Sequence, residues 1–442
     1  MIFSSIVTVY SIILFYVKIF YPIIWQGFTA AIHFTGAELM KKTISLIFLL
    51  TATVLYLNAQ AAKKFEFKQN KDDAYSYIST VEEDVYYNGY LNHHAQIINR
   101  ISSRVINAAA DGEAFIFADY MTTDDSISNK TGRHLVWGEE STSVFARKKN
   151  GELTISDDIF MPTVRNVPVF PDKAVKKGEK WTAEGKEVQD VRKAFKMEKP
   201  LIFPFTANYL YKEDVTSNGT TLNVITVDYT FDYKSNDYDL ANGTTLASST
   251  GYSKQVLYWD STKGLLDHYT EQFQIKITDI YNNEYVFTGT ARAEITEYKV
   301  VNNEATLKDI QDSVKRMKLN NISVKKGEKG LTISLDNIQF EPDSDVLLES
   351  EKLKLQKIAE ILKKFSNDLL ITGHCADRGT VKARQILSEQ RAQSVASYLE
   401  ELGVRDEYHI FTQGKGSTEP VASNLTDEGR SKNRRVEITI ME

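Results

Sequence analysis

Between residue 63 and about residue 300, apolar and polar side chains alternate with a period of two. In LNVITVDYTFDY (222–233), Asn223, Ile225, Val227, Tyr229, Phe231 and Tyr233 fall on one face. The stretch 269–298 repeats the pattern twice, with Phe273, Ile275 and Ile277 on one face and then Tyr285, Phe287, Ala291, Ala293 and Ile295. The opposite face carries Gln272, Gln274, Lys276, Thr288, Arg292 and Glu294. One apolar and one polar face per strand is the pattern of half-buried antiparallel sheet. SNGT (217–220), ANGT (241–244) and YNNE (281–284) supply turns, and FPDKAVKKGEKW (170–181) reads as a loop feeding a strand.

The period then changes. Leu307, Ile310, Val314 and Met317 are spaced three, four and three apart, which predicts a linker helix within 301–328, ending in the charged turn KKGEKG (325–330). From 329 to 442 strands and helices alternate. LTISL (331–335) predicts a strand. PDSD (342–345) offers N-caps for a helix to about Phe365, with Leu355, Ile358, Leu362 and Phe365 inward. LLIT (369–372), a helix over about 381–402 closed by Gly403, YHIFTQ (408–413) and RRVEITI (434–440) follow. The expected fold is α+β: a β-rich antiparallel N-terminal domain (63–300), then a βαβαββ domain (329–442) with helices on one face of its sheet.

The first 62 residues read differently. MKKTISLIFLLTATVLYLNAQA, from Met40, has a basic start, an apolar run and small residues before Ala61, the layout of a secretory signal peptide over 40–61. Residues 1–39 read as a mis-set start, or as a transmembrane segment with Lys18 its only charge before Phe28. No Cys lies near the cleavage site to take a lipid. A net charge of −6 argues against a nucleic-acid partner. Tyr and Phe total 45 against 8 Pro, which favours strands. A single Cys excludes an intrachain disulfide and a Cys-rich zinc site.

Candidate chemistry concentrates in TGHCADRGT (372–380), between a strand and a helix, where ligands of α/β layers bind. One His, one Cys and one Asp make a weak metal set. Neighbours His374 and Cys375 on an extended segment point to opposite sides, which argues against a thiol nucleophile. Arg391 lies four residues after Leu387 and four before Val395, so helical geometry sets its guanidinium beside an apolar stripe. Such a charge is either paired internally, with Glu389 or Asp377, or held to grip an anion. His93-His94 reads as a solvated pair. No catalytic constellation and no cofactor motif stands out, so no enzyme is expected.

IQFEPDSDVL (338–347), ITGHCADRGT (371–380), LSEQRAQSVASYLEELGV (387–404) and QGKGSTEPVASNLTDEGRSKNRRVEITI (413–440) resemble, in order, the motifs of the OmpA-like peptidoglycan-binding domain family. The resemblance implies non-covalent binding of the peptidoglycan stem peptide, with a loop Asp and a helix Arg pairing with the charged ends of its diamino acid. Arg391 matches the helix Arg. Ala376 stands at the family's Asp position and Asp377 one residue later, so either Asp377 takes the role, the favoured reading, or the carboxylate is missing. Gly373 and His374 then form the pocket rim, Cys375 fills space beside it, Asn433 and Arg434 support it, and Arg435 reads as a surface charge. The implied protein is an exported envelope component of the periplasm or outer membrane. The alternative is a porin-like outer-membrane β-barrel with a periplasmic tail. Lys234, Asp237, Lys254 and KAFKMEKPLIFPF (193–205) interrupt any lipid-facing band.

Overall fold

The computed structural model describes residues 62–123, 134–217, 219–297, 301–341 and 344–442. The signal-peptide and transmembrane readings of residues 1–61 lie outside them. Residues 63–442 form one compact unit.

Its first part is a twelve-stranded sheet in the order β6-β5-β3-β2-β1-β13-β12-β11-β10-β9-β8-β7. The strands are β1 (Ala74–Tyr87), β2 (Tyr90–Ala108), β3 (Ala114–Thr122), β5 (Glu139–Arg147), β6 (Leu153–Thr154), β7 (Val164–Arg165), β8 (Lys180–Gln189), β9 (Leu201–Ser217), β10 (Thr220–Lys234), β11 (Leu246–Asp260), β12 (Leu265–Asp279) and β13 (Glu284–Glu297). A separate two-residue strand, β4 (Leu135–Val136), leaves this sheet, and short helices α1 (Arg192–Phe195) and α2 (Asp237–Ala241) flank β9 and β10. Neighbouring strands pair antiparallel. Asn88 and Gly89, both at positive φ, make the tight turn between β1 and β2.

The alternation read from the sequence places the core. Ile225, Val227, Tyr229 and Phe231 are buried with Trp259, Tyr209, Tyr211, Phe65 and Phe170, while Asp228, Lys254, Gln272 and Arg292 are exposed on the other face. Ring pairs tie adjacent strands: Phe205 stacks on Tyr229 at 3.8 Å and Phe203 on Phe231 at 5.2 Å between centroids. The sheet curls until its edges meet, where Leu153 N donates to Asn166 Oδ1 at 2.7 Å beside β6 and β7.

The second part is a six-stranded sheet, order β14-β15-β18-β16-β17-β4, built from β14 (Ile322–Gly327), β15 (Gly330–Asp336), β16 (Leu369–Gly373), β17 (Ile410–Gly414), β18 (Arg435–Met441) and the visiting β4. Helices α3 (Glu304–Arg316), α4 (Glu349–Leu362) and α5 (Val381–Glu401) pack on it through Ile310, Val314, Leu355, Ile358, Val395 and Leu399. A short α6 (Asp427–Asn433) precedes β18. The domain is α+β, as expected. The helix expected as a linker is α3, and it packs in this core. β14 joins the sheet, so the C-terminal layers begin before residue 329. Pro342 and Asp343 of the PDSD caps lie outside the described residues; an antiparallel bridge between Phe340 and Leu347 closes the loop around them, and α4 starts at Glu349 without a side-chain cap.

The other face of this sheet packs on the β-rich part. Leu370, Phe411 and Met441 meet Met121 and Trp137. β4 pairs parallel with β17, and Trp137 N donates to Thr412 O at 2.7 Å. That covers an otherwise open sheet edge. Arg100 of β2 reaches Asp368 at 2.6 Å, with side chains 3% and 1% exposed, and His409 Nδ1 lies 2.7 Å from the other Asp368 oxygen. Strand addition and a buried ion pair make the two domains read from the sequence into one body.

Candidate functional site

β16 and β17 run parallel and end together at Gly373 and Gly414. Helix α5 crosses their ends. A Cβ on Gly373 falls 2.1 Å from Ser388 O, and one on Gly414 falls 2.4 Å from the Glu389 side chain. Glycine here is therefore a packing requirement. Gly373→Ala is expected to lower stability by about 1–3 kcal/mol, as overpacking does, measured as a reduced denaturant midpoint. The loop 374–380 leaves β16 and enters α5 through Thr380, whose Oγ1 accepts from Ala383 N at 3.2 Å.

Asp377 lies on this loop with its side chain 55% exposed. Its carboxylate meets Arg384 Nη1 at 2.8 Å, and its backbone N–H donates to Asn424 Oδ1 at 3.1 Å. Arg391 stands two turns after Arg384 on α5. Its guanidinium sits 4.7 Å over the Phe340 ring and its Nε donates to Ser344 O at 3.3 Å. The internal pairing of Asp377 is with Arg384. Cys375 lies within reach of both arginines' charge. Burial pushes its thiol above the ordinary value, and Arg391 and Arg384 pull partly against that. Its Sγ contacts Arg384 O at 3.6 Å. The thiol is buried.

Asn433 is buried and organises the far wall. Its Oδ1 accepts from Val421 N and Ala422 N at 2.9 and 3.0 Å, and its Nδ2 donates to Ala422 O and Asn424 Oδ1 at 2.8 and 2.9 Å. A chain therefore runs from Asn433 through Asn424 to Asp377. Arg434, half-buried at the end of α6, makes no side-chain hydrogen bond or ion pair among the described residues. Arg430 Nη1 donates to Asn424 O at 2.8 Å and pairs with Asp427.

His374 faces inward. It is 2% exposed, its backbone N donates to Arg435 O at 3.0 Å, and Arg435 Nη2 lies 3.3 Å from its Nε2. Burial first, and the Arg435 charge second, push its imidazole down to about 3, so it is neutral. Arg435 departs from the surface charge read in the sequence. It is buried, its Nε donates to Glu437 Oε1 at 2.9 Å and its Nη1 to Glu419 O at 3.2 Å. The structure thus brings Gly373, Asp377, Arg391 and Asn433 to one end of the sheet and turns His374 toward the supporting side.

Three contributors were not read from the sequence. Arg384 had a usable signal: seven residues before Arg391 is two helical turns, one face. Phe340 and Asn424 stood inside the motifs that carry the family resemblance, but their contacts with Arg391 and Asp377 depend on tertiary packing.

This is an α+β domain of the βαβαββ class whose parallel strands end under a loop of mixed charge. The chain belongs to the OmpA family through this domain: the family model of that description matches residues 339–434. The probable lipoprotein YiaD of Escherichia coli is 37% identical over 136 residues, covering 30% of this chain and 62% of that protein. The peptidoglycan-binding protein ArfA of Mycobacterium tuberculosis is 41% identical over 104 residues, covering 23% of this chain and 32% of that protein. The peptidoglycan-associated lipoprotein of Buchnera aphidicola is 33% identical over 137 residues, covering 30% of this chain and 79% of that protein. The chain spans less than two thirds of the first two.

Proposed function

We propose that the protein is an exported cell-envelope component that anchors non-covalently to peptidoglycan through its C-terminal domain. Asp377 and Arg391, with Arg384 beside them, hold the diamino acid of the stem peptide. The observation that carries this is the placement of two guanidiniums and one exposed carboxylate around a single strand-end loop in an OmpA-family domain. A diamino acid offers a carboxylate and an ammonium on one carbon. Arg391 meets the first with a planar fork and Asp377 the second. In this reading Asp377 exchanges or shares its Arg384 partner when ligand arrives. It also supplies the carboxylate that Ala376 does not. The names of the relatives, one peptidoglycan-binding and one peptidoglycan-associated, support the ligand class.

The test is co-sedimentation of the full chain with isolated peptidoglycan. Arg391→Ala is expected to weaken binding about 10–100-fold, the size of a lost charge-assisted pair, and Asp377→Ala to weaken it less. Raising salt weakens the wild type as exposed charges are screened. Unchanged sedimentation of Arg391→Ala refutes the assignment.

The porin-like reading draws less support. A membrane barrel turns apolar side chains outward. Here Asp228, Lys254, Gln272 and Arg292 are outward and Trp259, Tyr209 and Tyr211 inward.

A further inference from the structure

Inside the curled sheet lies a cavity of about 250 Å³, just below the ~300–1,000 Å³ of drug-sized ligand sites. Ile101, Phe145, Leu257, Leu266 and Tyr269 form its walls, and Met161 to Val164, crossing the gap between the sheet edges, close one side. Tyrosines and a few uncharged polar side chains share the lining, and Arg147 and Glu271 are the two residues in it that carry a charge in their ordinary state.

Arg147 is held without a counter-charge. Its guanidinium lies 4.8 Å over the Phe67 ring and 5.5 Å from that of Phe145. Nη1 donates to Tyr75 Oη at 3.2 Å. Among the described residues no carboxylate lies within 4.0 Å of it, and the bond to Tyr75 is its one side-chain hydrogen bond there. A guanidinium fixed between two rings presents a ready fork to an anion.

Glu271 is remote from it. Tyr75, which holds Arg147, pairs with Glu297 of β13, whereas Glu271 pairs with Ala291. Six residues along one strand at ~3.3 Å each separate the two levels by roughly 20 Å. Ser253 Oγ and Gln255 Nε2 donate to Glu271 Oε1 at 2.6 and 3.3 Å, and burial raises its carboxyl, which favours the neutral form. The cavity thus has a cationic end, a mostly apolar and aromatic middle and a far end that favours no charge.

We infer that the β-rich domain binds a single-chain carboxylate, with its head on Arg147 and Tyr75 and its alkyl chain along that middle. The volume suits a medium chain. This site is independent of the wall-binding loop.

Isothermal titration calorimetry of the full chain with decanoate tests it, with decanol as the uncharged control. One saturable decanoate site is expected, with decanol bound at least about 10-fold more weakly, the worth of a hydrogen-bonded charge. Arg147→Gln is expected to abolish that preference, and Ala293→Leu, which adds bulk to the wall, to reduce binding of both. No saturable heat with decanoate, or equal affinity for decanol, overturns the proposal. If Arg147→Gln does not fold, the comparison of the two ligands on the wild type decides alone.

Discussion

Arg100→Met is expected to lower the unfolding free energy of the chain by about 3–5 kcal/mol, because it leaves the buried Asp368 charge with His409 but without its guanidinium partner. Both side chains are almost wholly inaccessible and 2.6 Å apart, so neither is rehydrated when the other is removed. The loss reads as a lower denaturant midpoint. The double variant Arg100→Met/Asp368→Leu is expected to recover much of it, since an apolar pair of similar volume replaces a buried ion pair at little cost. A double variant no more stable than the single one refutes this account.

The same cluster carries a pH signature. Burial alone raises the Asp368 carboxyl, but Arg100 and the His409 bond outweigh it and hold it below the usual range. Its contribution is present above the ordinary carboxylate pKa and lost as pH falls through the depressed value. The bond to Asp368 raises His409, so that contribution is present below the ordinary imidazole pKa and lost as pH rises through the raised one. Both are complete between about pH 4 and 6.5, the ordinary values of the two groups.

Glu187→Gln is expected to act in the opposite sense and to stabilise the protein at pH 8. Burial, reinforced by Glu271, pushes the Glu187 carboxyl up to about 8. Between its unfolded pKa near 4.3 and that value, the native state keeps a proton the unfolded chain has released, so stability falls as pH rises, by up to about 1.4 kcal/mol per pH unit. Its contribution is whole below the unfolded pKa and gone above the folded one. Glutamine keeps the acceptor for Tyr229 Oη, which now donates to Glu187 Oε2 at 3.1 Å, and does not titrate. Denaturation at pH 5, 6.5 and 8 measures the effect. The wild type loses stability across the series and the variant much less. Parallel curves for the two proteins refute the assignment.

Local elements and much of the loop between β16 and α5 were legible in the chain alone. Period-two patterning identified β10, β12 and β13 because one face of each strand meets water. The consecutive apolar run LLIT identified β16 because both its faces are covered. Arg391 stood out because a charge on an apolar helical stripe needs a reason. What the tertiary structure decided involves residues distant in the chain. It turned Arg435 from the surface to the His374 side. It gave Asp377 an Arg384 partner and an Asn424 support. It joined Arg100 to Asp368 across 268 positions and lent β4 to the C-terminal sheet. It also closed a cavity around Arg147, whose place on an ordinary strand carries no local mark. Periodicity reports only which side of an element is dry. Which groups meet in the dry space depends on long-range pairing, and there burial makes each polar contact worth far more than its neighbours in sequence suggest.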